Sequence, residues 1–575
     1  MKAESEETNI KTEMQVSNLD HLGIVAGVID EMGIVEEINK KVGRSSREKV
    51  SAGVIVKAMI LNGLGFVSAP LYMFSKFFEG KATEHLLGTG ITAEQINDDR
   101  IGKVLDDLQE VGLTEIFLGI SMNVVENYEI KVETGHIDST SFHVDGEYAN
   151  QEEGSIEITH GYSRDHRPDL KQFMMNLICV GDGDIPVMME VVSGNQADKA
   201  RFAGLLQEFK KQWTFEGICV ADAALYSEEN VVAMTGLKWL TRVPLSIKAA
   251  GELVETTAGL QASKLKGYST VESMSEYGGV SQRWILVESE ARLKSDIKKF
   301  DKKIEKIQQK YQQELQVLAG QDFACPADAI AAADKLSTKM KWYELSNIQT
   351  VEKPHYANRG KPKPDAIPSS ISYRITATVI AIDAEISAQR LRCGRFILAT
   401  NILDSAQFSK DDALLEYKAQ QATERGFRFL KDPLFFTSSV FLKSAKRIEA
   451  LAMIMALCLL VYNLAQRQLR LALALSQDTI PNQLGKPSNS PTLRWVFQCF
   501  MAIHLVSFQG VNQEPRRKRT RYETATFGFL QTSQGTGNEP LTVIQVVNLS
   551  PSRLHILNFF STACQRYYFL PVPVS

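Results

Sequence analysis

Cysteine is scarce in this chain: seven residues in 575 (Cys179, Cys219, Cys325, Cys393, Cys458, Cys499 and Cys564), odd in number and without a CxxC pair. That spacing argues against a disulfide framework and a structural zinc site, and favours a reducing compartment, with the cytoplasm as the working location. A dominant charge is also missing. Lys and Arg number 64 against 68 Asp and Glu, a formal charge of −4, so the chain is no uniformly basic DNA coat, although a local basic groove is compatible with it. Apolar runs are short. The greasiest, Ala450 to Tyr462, is too short to span a bilayer and reads as a buried helix. The opening MKAESEETNIKTEMQ lacks the apolar stretch of a secretory signal. Repeats of solenoid period are absent. What is present, 44% hydrophobic and 23% charged residues, is ordinary for a globular protein, and the length suggests three or four domains of roughly 150 residues each.

Residues 1–128 read as a helical domain. VSAGVIVKAMILNGLGFV and DDRIGKVLDDLQEVGLTEIF carry apolar residues at three- and four-residue spacing, with Asn97, Asp98 and Asp99 offering caps. The period then changes. Lys131–Val144, Lys171–Val180 and Ile185–Val192 read as strands, the last two joined by a GDGD turn. A helix over Asp198–Lys211 and a buried strand at Phe215–Ala221 follow, with Leu237–Val243 a further strand candidate. Three strands, a helix and a buried strand open an RNase H-like mixed sheet, placed at 129–244.

An α/β insertion is expected over 245–394. Its long charged helix steps through Leu293, Ile297, Phe300, Ile304, Ile307 and Tyr311 like a coiled-coil seam, and Pro326 could start a returning helix. Lys294, Lys298, Lys302, Lys306 and Lys310 wind along the other side, most simply as a solvated face. The core resumes over 395–475 with RFILATN and the helical DDALLEYKAQQATERGFRFLKD. The region 476–575 carries a basic cluster, Arg516, Arg517, Lys518, Arg519 and Arg521.

Three acidic positions stand out. Asp138, in HIDSTS, shares a strand face with His136 by alternation, and a strand carboxylate needs a cation or donors to offset desolvation. Asp222 follows the apolar run GICVA, where a strand end opens into a crevice. Glu424 lies in the helix from Asp411. At 100° per residue, Tyr417, Gln420, Glu424 and Lys431 fall within an arc of about 60°, a plausible phosphate-and-metal face, and Gly426 marks a bend or a close approach. A water-facing strand Asp, a turn Asp and a solvated helix face are the plainer alternatives.

These residues resemble the DDE transposases of bacterial insertion sequences, in the group with a Tyr-x2-Arg-x3-Glu-x6-Lys helix. The chain reads Tyr417-x2-Gln420-x3-Glu424-x6-Lys431, with Gln where the group has Arg. HIDSTSFHVDG, HGYSRDHRPDLKQF, GICVADAALYS, FILATN and ERGFRFLKDPLFF are similar to its blocks and come in its order, over roughly residues 20–510. A second departure is Ala224, where the group often has Gly. The resemblance implies an RNase H-like catalytic core interrupted by an insertion. It implies that Asp138, Asp222 and Glu424 bind two Mg2+ ions (Mn2+ substituting) and catalyse cleavage at transposon ends and strand transfer into target DNA. Tyr417, Gln420 and Lys431 would position phosphates, although Gln420 lacks the bidentate grip of an Arg. His160, Arg164, Arg516, Arg517, Lys518 and Arg519 are further candidate contacts to double-stranded DNA. A homodimer on DNA is expected, and no membrane.

Two other readings compete. His136, His143, His160 and His166 fall close to Asp138, Asp145, Asp165 and Asp169, as in a metal-dependent hydrolase with mixed ligands. A catalytically inactive DNA-binding relative is the other, but it has no need of all three acids at once.

Overall fold

In the N-terminal region the apolar spacing produces helices at Leu22–Glu31, Ile34–Val42, Ala52–Gly63, Asp98–Val111 and Leu113–Asn127. Their starts are fixed locally. The Ser51 hydroxyl accepts from the Val54 N–H, and the Asn97 side chain accepts from the Arg100 N–H. The computed structural model describes residues 13–43, 48–66, 69–148, 154–162, 167–196, 198–212, 215–256, 259–357, 365, 367–432, 442–509, 531–533 and 542–569. The chain forms two compact units, one of Met1–Leu225 with Lys418–Ser575, the other of Tyr226–Tyr417.

The first unit holds strands β1 (Glu13–Asn18), β2 (Thr134–Val144), β3 (Lys171–Val180), β4 (Ile185–Ser193) and β5 (Ile218–Ala221). Strands β2, β3 and β4 form an antiparallel meander, and β5 pairs parallel to the other edge of β2. The order β4-β3-β2-β5 is the RNase H-like arrangement anticipated from the order of elements. Apolar Leu177, Ile178, Val180, Val187, Met188 and Val220 are fully buried, so the sheet is covered on both faces, as near-continuous apolar strands require.

The apolar run at 450–462 is the centre of a 32-residue helix, Ala445–Ser476. The whole helix, unlike the run, is long and apolar enough to cross a membrane, yet 89% of its most apolar stretch is buried inside the protein. A helix apolar on all sides is a core helix when protein surrounds it.

The region after 476 does not stand apart as a tail. Strand β1, whose alternate apolar residues Met14 and Val16 are exposed, pairs antiparallel with His504–Gln509, which in turn pairs with Thr542–Val547. The short helix Thr562–Gln565 lies so close to Leu22–Glu31 that a Cβ on Gly27 would stand 2.3 Å from the Cys564 Cα. Beside it the buried Lys57 ammonium donates to Asp30 Oδ1 at 2.6 Å and to the Tyr567 hydroxyl at 2.9 Å, while Tyr567 donates to Asp30 Oδ2 at 2.5 Å. Losing one partner of such a buried pair strands the other charge.

The second unit contains β6 (Lys238–Val243), β7 (Gln261–Ala262), β8 (Tyr268–Tyr277), β9 (Val280–Ser289), β10 (Tyr343–His355), β11 (Ser370–Ala381) and β12 (Arg395–Thr400). Strand β12 lies antiparallel between β6 and β9, and β10 and β11 form a separate two-stranded ribbon. The Glu290–Ala319 helix carries the heptad-spaced seam, and the seam packs within its own unit. Phe300 and Tyr311 bury against Trp342, Tyr343 and Ile386, the last from the Asp383–Arg392 helix.

Two outcomes follow from this packing. Gly27→Ala forces a methyl against the backbone of Cys564, and we expect a loss of roughly 1–3 kcal/mol, read as a lower midpoint in denaturant; an unchanged midpoint would contradict the interlock. Burial lowers the pKa of His21 and of His136 to about 4. Both stay neutral in the folded chain where the unfolded chain takes up protons near pH 6.5. Their depressed values give stability that is full above pH 6.5 and is lost as pH falls toward 4. Urea midpoints should already decline between pH 6.5 and 5; a flat profile there would show that burial does not hold these imidazoles neutral.

Candidate active site

The two aspartates follow the same pair of strands. In the parallel pair, Thr134 stands opposite Ile218, Gly135 opposite Cys219 and His136 opposite Val220. Asp138 comes two residues after His136 within β2, and Asp222 two residues after Val220, just beyond the end of β5, so both lie past the last paired residues in the same direction. Both are half-buried. Asp138 Oδ1 accepts from the Ser139 N–H and Asp222 Oδ1 from the Ala224 N–H, each at 2.8 Å. A backbone donor thus fixes one oxygen of each carboxylate. The N–H that holds Asp222 belongs to Ala224, the position where an unexpected side chain had been noted.

The helix bearing Glu424 is not continuous with the one before it. Lys410–Ala419 ends one residue before Gln421–Leu430 begins, with Gln420 at the break. Tyr417 therefore lies on the first segment, within the second unit, where its ring meets Phe396 with centroids 5.9 Å apart. The arc of about 60° assumed an unbroken helix, and for Tyr417 that assumption fails. Glu424 and Lys431 share the second segment.

This second segment lies along β2. At its start the Gln420 amide donates to the Ile137 carbonyl at 3.5 Å, and at its end the Lys431 ammonium stands 5.7 Å from the centre of the Phe142 ring. The lengths agree: eleven helical residues and five strand residues each span about 16 Å. Glu424, one turn past Gln420, sits over the first half of that stretch, which contains Asp138. Thr423, Phe427 and Leu430 are buried while Glu424 is exposed at the flank. Gly426 is a close approach rather than a bend, since a Cβ there would stand 3.1 Å from Leu459 Cδ2.

Gln420 is only 6% exposed. Its amide faces the strand that carries Asp138, so in this fold it fastens the helix to the sheet. A neighbour absent from the sequence reading does similar work. Arg425, next to Glu424, stands 3.8 Å from Asp184 of the β3–β4 turn, whose carboxyl is pushed above its usual range by burial. The second and fourth residues of GDGD were the available signal, since two acids in a tight turn call for basic partners. The first of them, Asp182, accepts two hydrogen bonds from Arg467 of the core helix at 2.8 and 2.6 Å.

The donor chemistry of the acidic group fits divalent cations, which are hard and prefer carboxylate oxygen. Among the described residues no three His, Cys, Asp or Glu side chains already stand as a closed ligand group; carboxylates repel one another until a cation joins them. The histidine-rich alternative disperses. His136 and His143 point to opposite faces of β2, seven residues and about 23 Å apart. His160 is exposed, and Asp169 is paired with Arg167 at 2.8 Å. His166, Asp165 and Arg164 lie outside the described residues, as do Arg516, Arg517, Lys518, Arg519 and Arg521.

Gln420→Leu separates a fastening role from a phosphate contact. We expect it to slow DNA cleavage about tenfold through misplacement of Glu424, with DNA affinity and its salt dependence unchanged. Binding that weakens and loses salt dependence would return Gln420 to the phosphate backbone.

Residues 133–461 match the family model described as "Transposase DDE domain", and residues 14–122 match a domain of unknown function, DUF4277. A cryo-EM structure of the piggyBac transposase synaptic complex with hairpin DNA is similar at a TM-score of 0.33 and 10% identity, over 79% of this chain and 77% of that one. No curated protein matches.

Proposed function

Since this chain belongs to the DDE transposase family and is a transposase, we propose that it cuts DNA at the ends of an insertion sequence and joins them to a target, using Asp138, Asp222 and Glu424. The observation that supports this reading is the parallel pairing of β2 with β5, after whose last pair, His136 and Val220, Asp138 and Asp222 each follow by two residues. Divalent metal ions are the family's cofactor, and here two Mg2+ (or Mn2+) bound by these three residues would activate the attacking hydroxyl and stabilise the leaving oxygen. The protein's own part is positional. The Ser139 and Ala224 N–H groups orient one oxygen of each aspartate. The Gln420–Ile137 and Arg425–Asp184 contacts hold the Glu424 helix on the sheet. Lys431, over Phe142 at the far end of that helix, is a point charge suited to a backbone phosphate.

Tyr417, His160, Arg164 and the basic residues Arg516, Arg517, Lys518 and Arg519 are proposed as further contacts to double-stranded DNA. Two transposon ends must be brought together, so a homodimer forms on DNA. The working compartment is the prokaryotic cytoplasm, consistent with seven free cysteines.

Asp138→Ala, Asp222→Ala and Glu424→Ala should each cut nicking of the DNA that flanks the encoding locus by at least about 10³-fold with Mg2+ present, the scale of several kcal/mol of lost charge stabilisation. DNA binding should survive in all three, and a chelator should reproduce the loss in the wild type. Substantial residual nicking by one variant removes that residue from the chemistry.

A further inference from the structure

The β10–β11 ribbon of the second unit has one side packed and one side open. Register places Leu345 opposite Val379 and Thr350 opposite Ile375. On that side Leu345 and Ile375 pack with Ala329 and Ala333 of the Pro326–Ser337 helix. The alternate positions point away from it. Gln349 stands opposite Thr376, Val351 opposite Arg374 and Lys353 opposite Ser372. Gln349, Val351, Thr376 and Thr378 are exposed, and the Lys353 and Arg374 side chains are each 38% exposed. The ribbon's own residues on the open side include one carboxylate, Glu344, at its far end.

Size and chemistry agree on a partner. The major groove of B-DNA, about 12 Å wide, admits a two-stranded ribbon. At about 3.4 Å per residue, strands of 13 and 12 residues reach roughly 40 Å, more than one helical turn of duplex. Gln, Thr, Ser, Arg and Lys side chains are the kinds that bond to base edges and phosphates.

Charge complementarity is already displayed within the fold. Asp322, in the link after the Glu290–Ala319 helix, accepts from Arg374 Nε at 2.6 Å and from Lys353 Nζ at 2.8 Å, with His355 Nε2 at 4.0 Å. Phe323 beside it bridges to Tyr373 of β11, which holds the link against the ribbon. Arg374 first, and then Lys353, keep the Asp322 carboxyl down at about 2. Two cations converging on one anionic group is also what a backbone phosphate asks for.

We propose that the open side of the β10–β11 ribbon is a duplex-DNA contact surface, with Lys353 and Arg374 as a phosphate-binding pair that Asp322 occupies until DNA displaces it. The choice of DNA as partner rests on the transposase reading; the surface itself rests on the register and on the Asp322 contacts.

The test uses the full chain, a mixed-sequence DNA duplex, and fluorescence anisotropy across a salt series, with thermal melts to confirm folding. A Lys353→Ala/Arg374→Ala double variant should bind about tenfold more weakly. Its plot of log affinity against log salt should be shallower by about 1.8, the slope of two phosphates. Asp322→Asn should bind several-fold more tightly with a steeper slope. Thr376→Lys, at an exposed position of the same side, should also bind more tightly. If wild type binds and nicks DNA while the double variant keeps its affinity and slope, the ribbon surface is wrong and the Asp138–Asp222–Glu424 site stands. If Asp322→Asn binds more weakly, the masking role is wrong. If the wild type binds no duplex, both readings fail together.

Discussion

Mutual repulsion between carboxylates is the constraint around which the catalytic unit is organised. Acids gathered at one place repel each other unless donors or cations offset the repulsion. The fold meets this in two steps. Parallel pairing of β2 with β5 holds the residues just before Asp138 and Asp222 together through backbone hydrogen bonds. Backbone N–H donors then take one oxygen of each. The third acid arrives differently, on a helix held by side-chain contacts. Its position can therefore adjust within the tolerance of the Gln420 and Arg425 contacts.

The elements that carry the aspartates were legible in the sequence because their side chains answer to local rules. Strand β3 begins and ends where alternation and the GDGD turn place it, and Asp222 falls one residue beyond β5. The break at Gln420 was not legible. A residue in ordinary helical conformation interrupts the hydrogen-bond ladder there, and nothing in residue type or spacing announces it. Burial of Gln420 was hidden for a related reason. A polar residue on a helix reads as solvent-facing until one knows that a strand carbonyl 283 positions earlier awaits its amide.

The same contrast explains the ends of the chain. Strand β1 alternates polar and apolar residues, but its pairing partners lie nearly 500 positions away, as in Asn18 against His504, and local spacing says nothing of where it docks. The seam of the Glu290–Ala319 helix was correctly periodic, but periodicity reports only that a stripe must be buried, not on what. Trp342 and Ile386, far along the sequence, supply the cover.

The interlock of Leu22–Glu31 with Thr562–Gln565 has a temporal consequence during synthesis. The N-terminal helices leave the ribosome first, yet Gly27 and the Asp30–Lys57 pair receive their covering residues, Cys564 and Tyr567, only after more than 500 further residues have been translated. A nascent chain cannot complete its amino-terminal domain early, in contrast to domains that mature one by one as they emerge. The amino-terminal helices thus reach their finished packing only after Cys564 and Tyr567 have been made, and a chain stopped short of these residues leaves Gly27 and Asp30 without those contacts.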